Sequence, residues 1–306
     1  MNHPNHSYPS SSQNLHYQHR PAHNQGYVGN NQRLGTNPRR IEYMDGGYIF
    51  CGAGMFTGRT IRAEVEEVQK ANVGRKYAAS KDRRALDPPP VVGLRIFDVR
   101  DAGNGTTQDT ELDYRGVQAT GLICHVEAFQ VSVAADEDPA QVTDVPIPPS
   151  ANPSYPQVAA NGHQVEAYWR NQPLTLAANH TGSLVGDLFT QALNLPIGQD
   201  SKNTLLFVFA DLSVQMEGWF LFRYRVFDLF SVHDNGAQPI LAECWGRPFR
   251  IYATKQFPGL EPSTELTKLL HNHHVPVRAR EVRRKRKKGP NNESGADSDQ
   301  DQTPTP

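Results

Sequence analysis

Residues 205–230 read LLFVFADLSVQMEGWFLFRYRVFDLF, and this stretch decides the fold class. Two runs of apolar and aromatic residues flank a Met-Glu-Gly sequence that is typical of a turn. In the second run, alternate positions carry apolar side chains that share one face of a strand: Phe220, Phe222, Tyr224 and Val226. Arg223 and Arg225 fall on the opposite face. The stretch therefore predicts two β-strands joined as an antiparallel hairpin or corner.

Alternation with a period of two recurs on both sides of this stretch. It is found in residues 59–68, 92–97, 122–133 and 248–253, and turn-forming residues separate these short runs. Short strands in this arrangement favour a β-sandwich over a sheet of alternating strands and helices. We expect its core to be built around eight residues: Leu94, Ile96, Phe207, Phe209, Leu212, Phe220, Phe222 and Tyr224.

Helical patterns are scarce. Residues 263–270 (STELTKLL) begin with residues that suit a helix N-cap and place their leucines on one stripe, which predicts a short helix. Residues 183–193 fit either a helical stripe or a strand, and we interpret them as a strand. The predicted fold class is therefore mainly all-β, a sandwich with one or two short helices.

Composition divides the 306 residues into three parts. Residues 1–42 are polar and show no hydrophobic period, so a disordered N-terminal tail is predicted. Residues 43–280 are long enough for one domain with a substantial core. At about residues 134–167 a Pro-rich segment predicts a flexible insertion within that domain. Residues 281–306, first basic and then acidic, predict a disordered C-terminal tail.

Patterns that would indicate catalysis, a cofactor or a metal are weak. The GAGMFTG sequence at 52–58 precedes a predicted strand, so we interpret it as a turn and not as a dinucleotide-binding loop. His271, His273 and His274 have no cysteine or paired carboxylate at ligand spacing, which favours a solvated loop end. No run approaches the ~20 apolar residues that span a bilayer. We therefore predict an intracellular non-enzyme with no catalytic residues, no cofactor, no metal and no membrane contact.

Residues 81–99 read KDRRALDPPPVVGLRIFDV and join a basic cluster to a strand. Prolines 88–90 lack amide hydrogens and fix φ, so they stiffen the start of that strand. Cations at one end of a sandwich can contact phosphates, and an arginine can reach a guanine edge. The predicted DNA contacts are Lys70, Arg75, Lys76, Lys81, Arg83 and Arg84. The alternative is an ordinary solvated loop.

A second basic group lies near the C-terminus. Residues 278–288 read RAREVRRKRKK, and acidic residues follow, so the net charge of −1 hides a strong asymmetry. The predicted nuclear-localisation residues are Arg283, Arg284, Lys285, Arg286, Lys287 and Lys288. Phosphate contact through counterion release and a merely solvated tail are the alternatives. The predicted localisation is the nucleus, with shuttling to the cytoplasm left open.

Four segments together resemble signature segments of the fungal velvet-domain regulators: DRRALDPPPVVGLRIFD, FVFADLSVQMEGWFLFRYRVFD, RPFRIYATKQFPGLEPSTELTKLL and VPVR. Their order and spacing match over residues 58–280. The VPVR ending and the long insertion favour the VelB-type branch, with a VosA-type assignment as the alternative. The resemblance implies an immunoglobulin-like β-sandwich similar to the Rel-homology domain. It also implies binding of double-stranded DNA and homo- or heterodimers with other velvet proteins.

Further implications of the resemblance concern biology. It implies that development and sporulation are coordinated with secondary metabolism, partly in complexes with a LaeA-like methyltransferase. One departure from the family pattern is the sequence QKANVGRKYAAS at 69–80, where velvet proteins carry a denser basic run. Fewer phosphate contacts would weaken DNA binding and its salt dependence. Two hypotheses stay open: a nuclear DNA-binding transcriptional regulator that acts as a dimer, and a dimerisation or scaffold subunit without autonomous DNA binding.

Overall fold

The computed structural model describes residues 41–43, 47–103, 106–134, 137, 141–151, 154–199, 202–231 and 239–280. These residues form a two-layer β-sandwich, which confirms the predicted fold class. The strands in chain order are β1 (Ile41–Tyr43), β2 (Ile49–Cys51), β3 (Arg59–Gln69), β4 (Val73–Arg75), β5 (Val91–Gly103), β6 (Thr106–Glu111), β7 (Leu122–Val131), β8 (Val165–Trp169), β9 (Gln172–Thr175), β10 (Leu184–Val185), β11 (Phe189–Gln191), β12 (Leu193–Leu195), β13 (Thr204–Val208), β14 (Ser213–Val214), β15 (Gly218–Asp228), β16 (Ile240–Trp245) and β17 (Phe249–Tyr252).

The two layers differ in strand order. Sheet one runs β1-β2-β3-β5-β13-β12, and β6 pairs with the second half of β5. Sheet two runs β11-β7-β15-β17-β4, and β16 pairs with β15 beyond β17. The central pair of sheet two is antiparallel and joins Leu122 to Asp228 and Val131 to Trp219. Small pairs, β8-β9 and β10-β14, stand beside the sheets.

Residues 205–230 form a corner between the layers. β13 pairs with β5 and β12 in sheet one, whereas β15 pairs with β7, β16 and β17 in sheet two. The predicted corner is confirmed, and the alternative of a hairpin is wrong because β13 and β15 are not paired with each other. The chain thus passes from one layer to the other between Val208 and Gly218, a connection that contains β14 and the Met-Glu-Gly turn.

The apolar faces of the two sheets meet in one core. All eight predicted core residues are buried there, since period-two alternation directs their side chains inward. Phe222 is fully buried, and its ring centroid lies 4.6 Å from that of Phe249 and 5.8 Å from that of Tyr224. These contacts make Phe222 a central packing residue of the sandwich.

Each sheet also buries part of its outer face. The β8-β9 hairpin packs Trp169 and Leu174 against Phe129 and Trp245 of sheet two. On sheet one, the helix α1 (Glu265–Asn272) and the segment after it cover the outer face with Leu270, Val275 and Val277. The helix confirms the prediction for residues 263–270. The Thr264 hydroxyl caps it by accepting a hydrogen bond of 3.1 Å from the amide of Thr267.

A network of charges lies between sheet two and the β8-β9 hairpin. Arg223, whose side chain is 3% exposed, lies 2.7 Å from a Glu127 carboxylate oxygen and 2.6 Å from one of Glu166. Arg225 extends the network with a 2.7 Å contact to Glu243. Because Glu166 belongs to β8, the network ties the hairpin to the sheet.

Several other sequence predictions concern connections. Residues 183–193 contain β10, β11 and the first residue of β12, which confirms the strand interpretation over the helical one, but as three short strands and not one. Residues 52–58 form a turn between β2 and β3, closed by a 2.7 Å hydrogen bond from the Gly58 amide to the Cys51 carbonyl. Among the described residues, no helix has the length and apolar composition to cross a bilayer.

The boundaries of the predicted parts can be compared only where residues are described. The predicted N-terminal tail lies outside the described residues except at its end, where β1 starts at Ile41, before the expected boundary. The predicted C-terminal tail, residues 281–306, lies outside the described residues. Within the insertion, the Asp144 carbonyl accepts a 3.0 Å hydrogen bond from the Trp169 indole, and the Pro156 carbonyl accepts one of 2.8 Å from Tyr168. The flexibility of the insertion stays a prediction.

Candidate nucleic-acid interface

The predicted DNA contacts lie in and beside one segment that leaves sheet one and returns to it. After β3 the chain leaves sheet one, joins the edge of sheet two as β4, and returns to sheet one at β5. Reciprocal hydrogen bonds of 2.9 Å between the backbones of Val73 and Asp87 join the two ends of this segment. We call residues 73–87 the basic loop. Its closed base makes it a defined projection from one end of the sandwich.

Pairing with a distant strand holds the first part of the basic loop. β4 runs parallel to β17, and the pairing ends where Arg75 meets Tyr252. The amide of Lys76 then donates a 3.0 Å hydrogen bond to the Tyr252 carbonyl. β4 was not predicted from the sequence, because its partner strand lies far away in the chain.

Arg83 anchors the second part of the basic loop to the body of the domain. Its Nε donates a 3.0 Å hydrogen bond to the Ser213 hydroxyl, and its Nη2 donates one of 2.9 Å to the Asp211 carboxylate. Nη2 also donates 3.3 Å to the Val185 carbonyl. At the neighbouring Gly186, φ is +125°, and a Cβ there would lie 2.8 Å from Nη2 of Arg83. The site thus uses Arg83 as a positioning residue, and this arginine is already occupied by protein partners.

Arg75 and Lys76 are also engaged, but less firmly. Nη2 of Arg75 donates a 3.2 Å hydrogen bond to the Asp82 carbonyl and so braces the turn at the tip of the loop. Lys76 forms a 2.7 Å ion pair with Glu217 in which both side chains are more than two-fifths exposed. Exposed pairs of this kind contribute only about 0–1 kcal/mol. Lys76 can therefore exchange its carboxylate partner for a phosphate at little cost.

Lys81 and Arg84 are the cations that the loop exposes. Lys81 lies in a 3-10 turn at Ser80–Asp82, and both Lys81 and Arg84 are exposed. Within the part of the chain that the structure describes, neither side chain has a hydrogen-bond or ion-pair partner. Of the six predicted DNA contacts, these two are best placed to meet an external anion.

Lys70 lies outside the loop base and is partly buried. Its ammonium donates a 3.0 Å hydrogen bond to the Pro248 carbonyl, and burial lowers its pKa despite the nearby Glu67 carboxylate. This environment disfavours a further charged contact with solvent-exposed DNA. The structure therefore does not group Lys70 with Lys81 and Arg84.

The buried Glu67 leads to a prediction about pH. The Tyr224 hydroxyl and the Arg247 amide donate hydrogen bonds of 3.0 and 2.9 Å to its carboxylate, yet burial raises its pKa above 4.5. The folded protein then keeps a proton that the unfolded chain has lost, so this site stabilises the fold below about pH 4.5 and loses that contribution as pH rises through the folded pKa. Relative to Glu67→Gln, the wild type should lose unfolding free energy as pH rises.

Urea denaturation at several pH values between about 4 and 8 checks this expectation. Glu265→Gln is the matched control, because it makes the same chemical change at a side chain that is 90% exposed. A difference between wild type and Glu67→Gln that stays constant with pH would contradict the raised pKa.

Lys255, a cation that was not predicted from the sequence, lies at the same end of the sandwich. Since β4 and β17 are parallel and end together, the 3-10 turn Thr254–Gln256 leaves the sheet beside the basic loop. Lys255, in the middle of this turn, is exposed. No local sequence signal could reveal this neighbour, because the β4-β17 pairing joins distant parts of the chain.

The proposed import residues, 283–288, lie outside the described residues. Within the described ranges, no group of three or more His, Cys, Asp or Glu side chains is placed to hold a metal ion.

The comparison with protein families concerns most of the chain. The family described as Velvet factor matches residues 63–284. A probable velvet family sexual development regulator of Laccaria bicolor is 39% identical over 284 residues, covering 85% of this chain and 81% of the relative. A second protein with this description, from Schizophyllum commune, is 40% identical over 240 residues, covering 76% and 77%.

A more distant relative has a different name. This protein of Coprinopsis cinerea, named as a component of the velvet complex, is 28% identical over 243 residues, covering 71% of this chain and 62% of that protein. The choice between the VelB-type and VosA-type branches stays a prediction, since these names do not decide between them. The recognition of the family itself is confirmed: the chain belongs to the velvet family.

Proposed function

We propose that this protein is a nuclear regulator of sexual development that binds double-stranded DNA through the basic loop. The developmental role is supported by the names of its relatives from Laccaria bicolor and Schizophyllum commune. Those names describe regulators, which also supports a role other than catalysis. The name of the Coprinopsis cinerea relative, a component of a velvet complex, supports action as a homo- or heterodimer with velvet-family proteins.

One observation carries the DNA-binding proposal: the basic loop is closed at its base and anchored by Arg83, while Lys81 and Arg84 are exposed and free of protein partners among the described residues. Because the loop is anchored, its cations are already arranged for phosphate contact, and the loop loses little conformational entropy when it binds DNA. Lys76 and Lys255 add positive charge at the same end. Links to secondary metabolism and to a LaeA-like methyltransferase stay predictions from the family resemblance.

Charge reversal at the loop tip tests this proposal. We expect the double variant Lys81→Glu, Arg84→Glu to bind duplex DNA about 10–100-fold more weakly at about 0.1 M salt. The slope of log affinity against log salt should shrink by about two, since each lost phosphate contact removes about one unit. Fluorescence anisotropy of a labelled duplex with the full chain measures both quantities.

The control variant is Arg100→Glu, Arg115→Glu. It changes the net charge by the same amount at side chains that are 78% and 79% exposed. Both residues lie toward the opposite end of the sandwich. Arg100 lies in the half of β5 that is farther from the basic loop and pairs with β6, and Arg115 lies in the connection from β6 to β7. Equal losses in the two double variants would contradict a specific role for the basic loop. Arg83 is unsuitable for such a test, because its substitution would also release the loop.

A second candidate function is a scaffold subunit without its own DNA contact. The observation in its favour is that Lys70, Arg75 and Arg83 already donate hydrogen bonds to acceptors of the protein. In addition, the exposed negative charge of Asp82 lies next to Lys81 in the chain. This function predicts that the purified chain fails to bind duplex DNA at about 0.1 M salt, while its complex with another velvet protein binds. Autonomous binding that depends on Lys81 and Arg84 would rule it out.

A further inference from the structure

We propose that Ser80 is a phosphorylation site at which a serine/threonine protein kinase weakens DNA binding by the basic loop. The inference rests on the proposed DNA binding and adds its regulation. It is carried by the place of one hydroxyl in the fold. Ser80 is exposed and begins the 3-10 turn that holds Lys81 and leads to Arg84.

The basic loop contains two hydroxyl side chains, and only one of them is accessible. Tyr77 is 8% exposed, and its hydroxyl is buried, so a kinase cannot reach it. Ser80 is exposed, and within the described part of the chain its hydroxyl makes no hydrogen bond, not even as a cap of its own turn. A kinase must bring the attacking oxygen in line with the phosphorus of its nucleotide. Ser80 permits this approach, whereas Tyr77 does not.

The turn around Ser80 can open into the active site of a kinase. Two backbone hydrogen bonds close it, one of 2.9 Å from the Asp82 amide to the Ala79 carbonyl and one of 3.1 Å from the Arg83 amide to the Ser80 carbonyl. Residues 78–82 are all exposed, and the turn buries no side chain. A segment with so few buried contacts opens at a low cost in free energy. Because Arg83 is anchored to the domain, the opening stays local.

The charges on both sides of Ser80 indicate the class of kinase that it fits. Residues 75–84 read RKYAASKDRR, so two cations precede the serine and three follow it, with a single acid, Asp82. Kinases select their substrates partly by complementary charge patterns. This pattern fits kinases that have an acidic substrate groove and prefer serines flanked by lysine and arginine. Protein kinase C belongs to this class.

The modification is a transfer of the γ-phosphoryl group of ATP. The Oγ of Ser80 forms a bond to the γ-phosphorus, the bond between this phosphorus and the bridging oxygen of ADP breaks, and ADP leaves. The hydroxyl proton passes to the catalytic aspartate of the kinase. The product carries a charge of about −1.5 to −2 near pH 7 and three strong acceptor oxygens.

Cations of the basic loop are placed to bind this phosphate. Lys81 directly follows Ser80, and the bond from the Arg83 amide to the Ser80 carbonyl brings the chain back beside the serine just before Arg84. From β4, Nη2 of Arg75 donates 3.2 Å to the carbonyl of Asp82 in the same turn. This is the only hydrogen bond of the Arg75 guanidinium to any residue that the structure describes. Since a guanidinium has five N–H donors, Arg75 keeps donors for an anion at this turn.

A phosphate on Ser80 would take the place of the DNA phosphate that these cations bind in the proposed complex. Charge-assisted hydrogen bonds within the loop would neutralise Lys81 and Arg84, and the remaining negative charge would repel the duplex. We expect the phosphorylated protein to bind duplex DNA about tenfold or more weakly at about 0.1 M salt. The slope of log affinity against log salt should be smaller by about one to two.

Incubation of the purified full chain with protein kinase C and Mg-ATP tests the site itself. Mass spectrometry should locate phosphate on Ser80, and Ser80→Ala should incorporate correspondingly less phosphate. If the kinase leaves Ser80 unmodified, whether or not it modifies other residues, the inference is overturned.

Anisotropy of the labelled duplex then tests the effect on binding. Ser80→Glu and Ser80→Gln are matched in size and differ by one negative charge. We expect Ser80→Glu to bind about 3–10-fold more weakly than the wild type, and Ser80→Gln to stay within about twofold of it. The phosphorylated wild type should bind more weakly than Ser80→Glu. Thermal unfolding should give the same Tm for both variants, because Ser80 is exposed.

The outcomes separate this inference from the proposed function. If the unmodified wild type binds duplex DNA through Lys81 and Arg84, but phosphorylation of Ser80 leaves the affinity and the salt slope unchanged, only the inference is overturned. Equal losses for Ser80→Glu and Ser80→Gln would also overturn it, because charge would then play no part. If the unmodified wild type does not bind duplex DNA, the proposed function fails and the inference fails with it.

Discussion

Replacement of Arg223 by alanine is expected to lower the free energy of unfolding by about 3–5 kcal/mol. The guanidinium is 3% exposed and lies between the carboxylates of Glu127 and Glu166, which are 13% and 11% exposed. It also stacks over Trp245, with its central carbon 5.3 Å from the ring centroid. Removing it leaves two shielded negative charges close together without their main counter-charge, and it loosens the β8-β9 hairpin.

Urea denaturation at neutral pH measures this loss, and Arg95→Ala is the control. Arg95 also contacts two carboxylates, at 2.8 Å from Glu111 and 3.3 Å from Glu64, but its side chain is 48% exposed. Its loss should cost at most about 1 kcal/mol. Because a buried charge network can be replaced by neutral groups, Arg223→Met combined with Glu127→Gln and Glu166→Gln should recover much of the stability. Similar losses for Arg223→Ala and Arg95→Ala would contradict the role of burial.

Phe222→Ala should have an effect of similar size, a loss of about 3–5 kcal/mol. The side chain is fully buried between the sheets and packs against Phe249 and Tyr224, so its removal leaves a cavity in the centre of the core. The control is Phe189→Ala, the same chemical change at a ring that is 56% exposed and stacks on His125. Thermal or urea unfolding should show a much smaller loss for Phe189→Ala, and comparable losses would argue against the two-layer core.

Sequence periodicity was sufficient to predict the core but not the outer faces. Phe222 and its neighbours follow a period of two that depends only on strand geometry, so their burial could be predicted. Arg223 was assigned correctly to the opposite face, yet that face is buried by the β8-β9 hairpin and by Glu166. Whether a face of a sheet is covered depends on packing by another element. Local alternation does not contain this information.

In the candidate site, too, the sequence predicted which residues are present but not which distant residues they contact. Counting charges predicted where cations occur, but their partners come from distant parts of the chain: Asp211 and Ser213 for Arg83, and Pro248 for Lys70. These partners determine which cations are engaged by the protein and which are exposed. Arg83 and Arg84 are adjacent residues of the same type and differ only in tertiary context, so the sequence alone could not rank them.

The register of sheet two has a consequence for how the protein is made. β7 pairs with β15 from Leu122–Asp228 to Val131–Trp219. This pairing can form only after β15 has left the ribosome. At about 5–20 residues per second, translation leaves the edge of β7 that faces β15 without its partner for a time on the order of 5–20 s. During that interval the nascent chain resembles an unsatisfied sheet edge, which invites pairing with other chains. The long sequence separation between β7 and β15 therefore exposes the nascent chain to aggregation during synthesis.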